Sequence, residues 1–234
     1  MTGAIISQFY WKDANNQHSR YFISGSFFFI EPDLGVTIYS NLAMARSHND
    51  MVYAEDYFYF DSQLPHFKSS GHEGKGKQCI RLDRDWLEEF PDRNITLIKF
   101  PFPVSSECFV PNRNTPDEGQ LIICEGYGEA DYIPVQDDLE SIDFIRVDDN
   151  QIRKFKLFRQ MANIESIEVQ PIYSDTLNID TLDVLYTDMH FSSSMSGGTI
   201  LDIKGKEVLG VLSHEPDDPF ASPKFRGIKL NCFG

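Results

Sequence analysis

Residues Tyr186–Ser213 read YTDMHFSSSMSGGTILDIKGKEVLGVLS. A cluster of small residues ends in Ser196-Gly197-Gly198, an apolar strand follows, Lys204-Gly205-Lys206 makes a tight turn, and a second apolar strand runs through Gly210. A Ser/Gly cluster between strands is ordinarily just a flexible turn. Here it stands directly before a hairpin, which makes this segment more informative than the rest of the chain.

Outward from this segment the periodicity is short and strand-like, bounded by Gly, Pro, Asn and Asp. Strands are expected at Ala4–Tyr10, Tyr21–Ile30, Val36–Ser40, Met51–Phe60, Gln78–Leu82, Ile95–Phe100, Gln120–Tyr127, Ile164–Tyr173, Thr181–Tyr186, Gly198–Ile203, Glu207–Ser213 and Phe225–Leu230. So many short strands indicate an all-β barrel or sandwich. Glu129–Asp149 carries eight acidic side chains against one Arg and reads as an exposed acidic insertion. Gln151–Met161 (QIRKFKLFRQM), a short helix or a strand, is the strongest basic patch; it either neutralises its acidic neighbour or docks a partner.

The 234 residues are 41% hydrophobic and 13% aromatic, with 36 acidic against 21 basic side chains and a net charge of −15. Such aromatic content belongs to a packed core, so the acidity is that of a folded surface. A surface this negative repels phosphate backbones, which argues against nucleic acid and for a basic or neutral polypeptide partner. The first residues lack the basic flank of a signal peptide, and no stretch approaches the roughly 18 apolar residues that span a bilayer. Cys79, Cys108, Cys124 and Cys232 show no CxxC spacing, and Cys124 lies in the apolar run Leu-Ile-Ile-Cys. These features lead us to expect reduced thiols, a cytoplasmic location and no membrane association. No His has a second ligand at useful spacing, so neither metal nor cofactor is expected.

The Ser196 segment resembles the nucleophile loop and following hairpin of trypsin-like, chymotrypsin-fold serine peptidases, nearest the intracellular Deg/HtrA type. Gly25–Ala43 (GSFFFIEPDLGVTIYSNLA) is similar to the segment that opens the family's first barrel, and Phe90–Phe100 (FPDRNITLIKF) to the one carrying its acidic triad member. Ile122–Gly128 (IICEGYG) and Phe225–Leu230 (FRGIKL) resemble the first and last strands of its second barrel. The resemblance implies two six-stranded antiparallel β-barrels, residues 1–110 and 111–234, with the site in the cleft between them.

It also implies a triad of Ser, His and Asp, which this chain does not keep. Ser196 matches the nucleophile. The expected His falls on Ala43, or on Leu42 if the loop shifts by one, and the expected Asp falls on Asn94. An Asn there favours the wrong imidazole tautomer and lowers turnover by about four orders of magnitude. The oxyanion donors would be the amides of Ser196 and Ser194, and Ser194 stands where the family normally has Gly. Met195 is not a carboxylate, which argues against activation by a new N-terminal amine. By resemblance His190 falls in the floor of the primary pocket, and Val211, Leu212, Ser213 and His214 form the strand that pairs with a bound peptide. His48 lies beyond the turn that would carry a base. The reading is a pseudoprotease that binds a polypeptide; the alternative is an active serine endopeptidase, disarmed at position 43 or using a displaced His.

Overall fold

The computed structural model describes residues 1–12, 17–43, 52–61, 77–112, 114–129, 142–146, 152–172, 180–189, 193–213 and 225–228. Phe27-Phe28-Phe29 lies in β2 (Gln17–Glu31), and successive strand side chains point to opposite faces, so the three rings divide between two cores. Phe27 and Phe29 enter an interior shared with Ile5, Leu42, Phe58, Phe60 and Phe100, where the Phe27 and Phe58 centroids are 4.9 Å apart. Phe28 faces the other way, among Val36, Ile38, Ile95 and Leu97.

Around β2 the strands β1 (Thr2–Lys12), β3 (Leu34–Ile38), β4 (Val52–Asp61), β5 (Lys77–Arg81), β6 (Leu87–Phe90) and β7 (Ile95–Lys99) complete a curled seven-stranded sheet, ordered β5-β4-β1-β2-β3-β7-β6. A bulge at Ser24, opposite Ile5 and Ile6, bends β2 against β1. The five-residue helix α1 (Tyr39–Ala43) leaves the end of β3.

The second sheet contains β8 (Val110–Pro111), β9 (Leu121–Glu129), β10 (Ile142–Arg146), β11 (Ile152–Ile172), β12 (Asp180–Thr187), β13 (Thr199–Asp202), β14 (Glu207–Ser213) and β15 (Phe225–Ile228). Its order is β10-β11-β12-β15-β14-β13-β9, and β11 also pairs with β9, closing a ring of six strands. The 21 residues of β11 pair in turn with β10, β9 and β12, shifting register between Ile164 and Ser166. Alternation along β9 sends Ile122 and Cys124 into the ring, with Ala162, Ile164, Leu185, Ile200, Leu209 and Leu212. Ile123 points outward and joins Val184, Leu201, Val208 and Val211 against Phe28 and its neighbours from the first sheet. This apolar cluster, and a smaller one in which Ala4 and Ile23 of the first sheet meet Tyr127 and Phe155 of the second, hold the two sheets face to face.

The all-β, two-barrel expectation holds, with adjustments. The second barrel closes on six strands, whereas the first is an open sheet of seven, β6 having added a short edge strand beside β7. Val36–Ser40 is not wholly strand: the strand stops at Ile38 and the chain turns into α1. Gln151–Met161 is strand wherever described, and its unbroken register puts the buried Phe155 and the half-exposed Arg159, four residues on, on the same face. The acidic segment includes β10; residues 130–141 and 147–149 lie outside the described residues. No described helix is long and apolar enough to cross a membrane.

Candidate functional site at the barrel junction

The 3₁₀ turn Pro91–Arg93 ends at Asn94, whose φ of 50° and ψ of 37° lie in the left-handed region. Asn tolerates that region because its short polar side chain bonds locally. The conformation aims three groups of one residue at two other elements. The Asn94 carbonyl accepts from the Tyr39 amide at 3.0 Å, and its Oδ1 accepts from the Ser40 amide at 3.1 Å, so two orphan donors at the start of α1 are satisfied. Its Nδ2 donates to Ser213 Oγ, at the end of β14, at 3.2 Å. The orientation of the amide follows from chemistry: the Ser40 N–H can only donate, so an oxygen must face it.

From the other barrel, the Ser196 carbonyl accepts from the Ser26 amide and from Asn41 Nδ2, each at 2.7 Å. Asn41 Nδ2 also donates to Thr37 Oγ1 at 3.1 Å, and that hydroxyl donates to the Ser26 carbonyl at 2.7 Å. Ser26 Oγ accepts from the Tyr127 amide at 2.8 Å and donates to the Ser194 carbonyl at 3.2 Å. Two glycines make room. At Gly25 a Cβ would stand 2.0 Å from Asn41 Nδ2; at Gly197, with φ of 85°, it would stand 2.1 Å from the Ser26 carbonyl. A larger residue at either place would push the helix off the loop.

Ser196 and Ser194 are 3% and 6% exposed, so the candidate nucleophile loop is packed down on the junction. Residues Ser193–Met195 form a 3₁₀ turn. The Met195 side chain fills the second barrel beside Cys124, Ile200 and Leu209. Burial pushes the Cys124 thiol well above its ordinary range, so it packs there as a hydrophobe.

The structure brings Ser196, Asn94 and Ser213 to one junction through the two consecutive residues Ser40 and Asn41. Ala43 is the last residue of α1, one helical turn beyond Ser40. Leu42 points into the first barrel and is fully buried, so the shifted alignment is excluded as a cleft position. Val211 and Leu212 cannot pair with a peptide as expected, because both their flanks are occupied. Val211 lies between Thr199 and Ile228. Leu212 pairs with Gly227 on one side, and on the other exchanges bonds with Gly197 and Gly198. Ser213 pairs with Arg226. His48, His190 and His214 lie outside the described residues. Among the described residues no three His, Cys, Asp or Glu side chains are grouped to hold a metal. Ser26, Thr37, Ser40 and Asn41 were not singled out from sequence, where nothing local links Asn41 to the two glycines it packs between.

Two β-barrels packed across such a junction are the fold of trypsin-like serine proteases, including those of HtrA type. Among solved structures, the MamO protease domain from Magnetospirillum magneticum is 10% identical over 96% of this chain and 90% of that one, with a TM-score of 0.54. The Rv3671c protease of M. tuberculosis, in its active form, is 12% identical over 97% and 76%, with a TM-score of 0.51. The HtrA-type protease AlgW, solved with a decapeptide, is 9% identical over 97% of this chain and 60% of its own, with a TM-score of 0.55. At such identities the likeness is one of fold. No family model matches the sequence. No curated protein matches it either.

Proposed function

We propose that this protein is a pseudoprotease that binds an extended, basic or neutral polypeptide at the cleft between its barrels without cutting it. The observation that carries the reading is the amide of Asn94. Where a triad needs a carboxylate to accept from an imidazole, Asn94 offers one oxygen, already bonded to the Ser40 amide, and a nitrogen that donates to Ser213. The residues of α1 are Tyr39, Ser40, Asn41, Leu42 and Ala43, and none of them is an imidazole, a carboxylate or an amine. A serine hydroxyl without such a base is a poor nucleophile. The decapeptide held by AlgW supports a polypeptide as the ligand class, and the charge of −15 supports a basic or neutral one.

Ser196 itself favours a second reading, an active serine endopeptidase whose base lies outside the described residues. A fluorophosphonate probe separates the two. We expect no labelling at Ser196 and no cleavage of a mixed peptide library, with retention of Lys- or Arg-bearing peptides on the immobilised protein. Labelling that disappears in Ser196→Ala would establish the peptidase instead.

A further inference from the structure

We infer that Ser40, and not Ala43, occupies the position from which a general base would act in this fold. The inference rests on the pseudoprotease reading of the site and names the residue at which the base is missing. A base in a triad must be reached by the acid on one side and must reach the nucleophile on the other. Among the described residues the chain meets that requirement at Ser40 and Asn41. The amide of residue 40 is bonded to Asn94 Oδ1 at 3.1 Å, and the side chain of residue 41 is bonded to the Ser196 carbonyl at 2.7 Å. The chain therefore passes between Asn94 and Ser196 at these two residues.

The side chains divide the two faces. Asn41 is 4% exposed and turns into the junction between Gly25 and Gly197; Leu42 is fully buried in the first barrel. Ser40 is half-buried and stands at the surface of the junction. Ala43 lies about 4.5 Å farther along the helix axis than Ser40, since each residue rises about 1.5 Å, and so moves away from the Asn94 side chain that caps the first turn. An imidazole grown from residue 40 would start beside the side-chain position of residue 94; one grown from residue 43 would start a turn away.

The test is electrostatic proximity. Ser40→His and Ala43→His are each made in the wild-type chain and together with Asn94→Asp, and the imidazole titration is followed by NMR. A carboxylate within about 4–6 Å favours the charged imidazole. We expect Asn94→Asp to raise the titration of the residue-40 imidazole by about one pH unit or more and to leave that at residue 43 unchanged. A shift at residue 43 alone, or at neither position, overturns the assignment. If a histidine variant fails to fold, the near-isosteric Ser40→Cys, compared with Ala43→Cys, gives the same information: a carboxylate disfavours the thiolate, so Asn94→Asp should raise the thiol titration at 40 only, read from the pH dependence of alkylation. Labelling of the unmodified chain by fluorophosphonate would sink the pseudoprotease reading but leave this titration result untouched.

Discussion

Asn41 Nδ2 lies 2.7 Å from the main-chain oxygen of Ser196, so a helix of the first barrel holds the central loop of the second through a bond buried at both ends. The same nitrogen donates to Thr37 Oγ1. Replacing Asn41 by Ala removes both bonds and leaves a gap between Gly25 and Gly197. Each buried hydrogen bond contributes about 1 kcal/mol, with a larger cost when a partner is stranded. Asn41→Ala should destabilise by about 2–3 kcal/mol in urea unfolding. Asn41→Asp should be worse, because a carboxylate would face two oxygens; equal stability of the two variants would contradict this.

Gly197 combines a φ of 85° with no space for a side chain, since a Cβ would stand 2.1 Å from the Ser26 carbonyl and 2.4 Å from Thr37 Oγ1. The left-handed conformation alone costs an alanine about 1–2 kcal/mol. The obstacle on the other side is main chain, which cannot rotate away. Gly197→Ala should therefore lose more than about 3 kcal/mol or fail to accumulate folded, whereas Gly119→Ala, at φ of 78° with nothing within 4 Å, should lose only the conformational part. A thermal melt of the two variants checks the contrast.

Asn94 separates backbone from side-chain effects. Asn94→Gly keeps the left-handed turn and loses the bonds to Ser40 and Ser213; Asn94→Ala loses the bonds and strains the turn. The strain, about 1–2 kcal/mol, exceeds the roughly 0.4–1 kcal/mol that a glycine gives up through a freer unfolded chain. Ala should thus be less stable than Gly at this position. The reverse order in chemical denaturation would argue against the left-handed conformation.

Asp202 braces the β13–β14 turn. Its Oδ1 accepts from the amides of Lys206 and Glu207, each at 2.8 Å, and its Oδ2 from that of Lys204 at 3.2 Å. Burial, the largest single influence, pushes the carboxyl up, but the three amides together outweigh it and hold it below 3.8. A carboxyl depressed in the folded state stabilises above its unfolded value and loses that contribution as pH falls through the folded value. The stability difference between wild type and Asp202→Asn should be present at pH 7 and shrink below about pH 4. A difference that stays constant down to pH 3 would rule this out.

The sequence carried most of the fold, for reasons visible in particular residues. Three consecutive phenylalanines can all be buried only in a strand covered on both faces, and the alternation of Ile122, Ile123 and Cys124 separates a barrel interior from a barrel interface. Asn94 was legible because its place in the Asn-Ile-Thr-Leu-Ile-Lys strand entry is local. The strands β6, β8 and β10 were missed because LEEF, VP and IDFIR offer charged residues or a proline rather than an apolar run. A helix of five residues likewise has no periodicity of its own, which is why α1 read as the end of a strand and position 40 was passed over. The expected pairing of Val211 and Leu212 with a peptide came from the resemblance and passed over their continuous apolar run, which suits a strand with neighbours on both sides. The bond from Asn41 to Ser196 spans 155 positions, and no local pattern encodes it.

The described anchors on residue 196 both end on its main-chain oxygen, one from the Ser26 amide and one from Asn41. They would hold an alanine or a cysteine at that position as firmly as a serine. Architecture and reactivity are therefore separable in this loop: the bonds that set its course do not call on the hydroxyl.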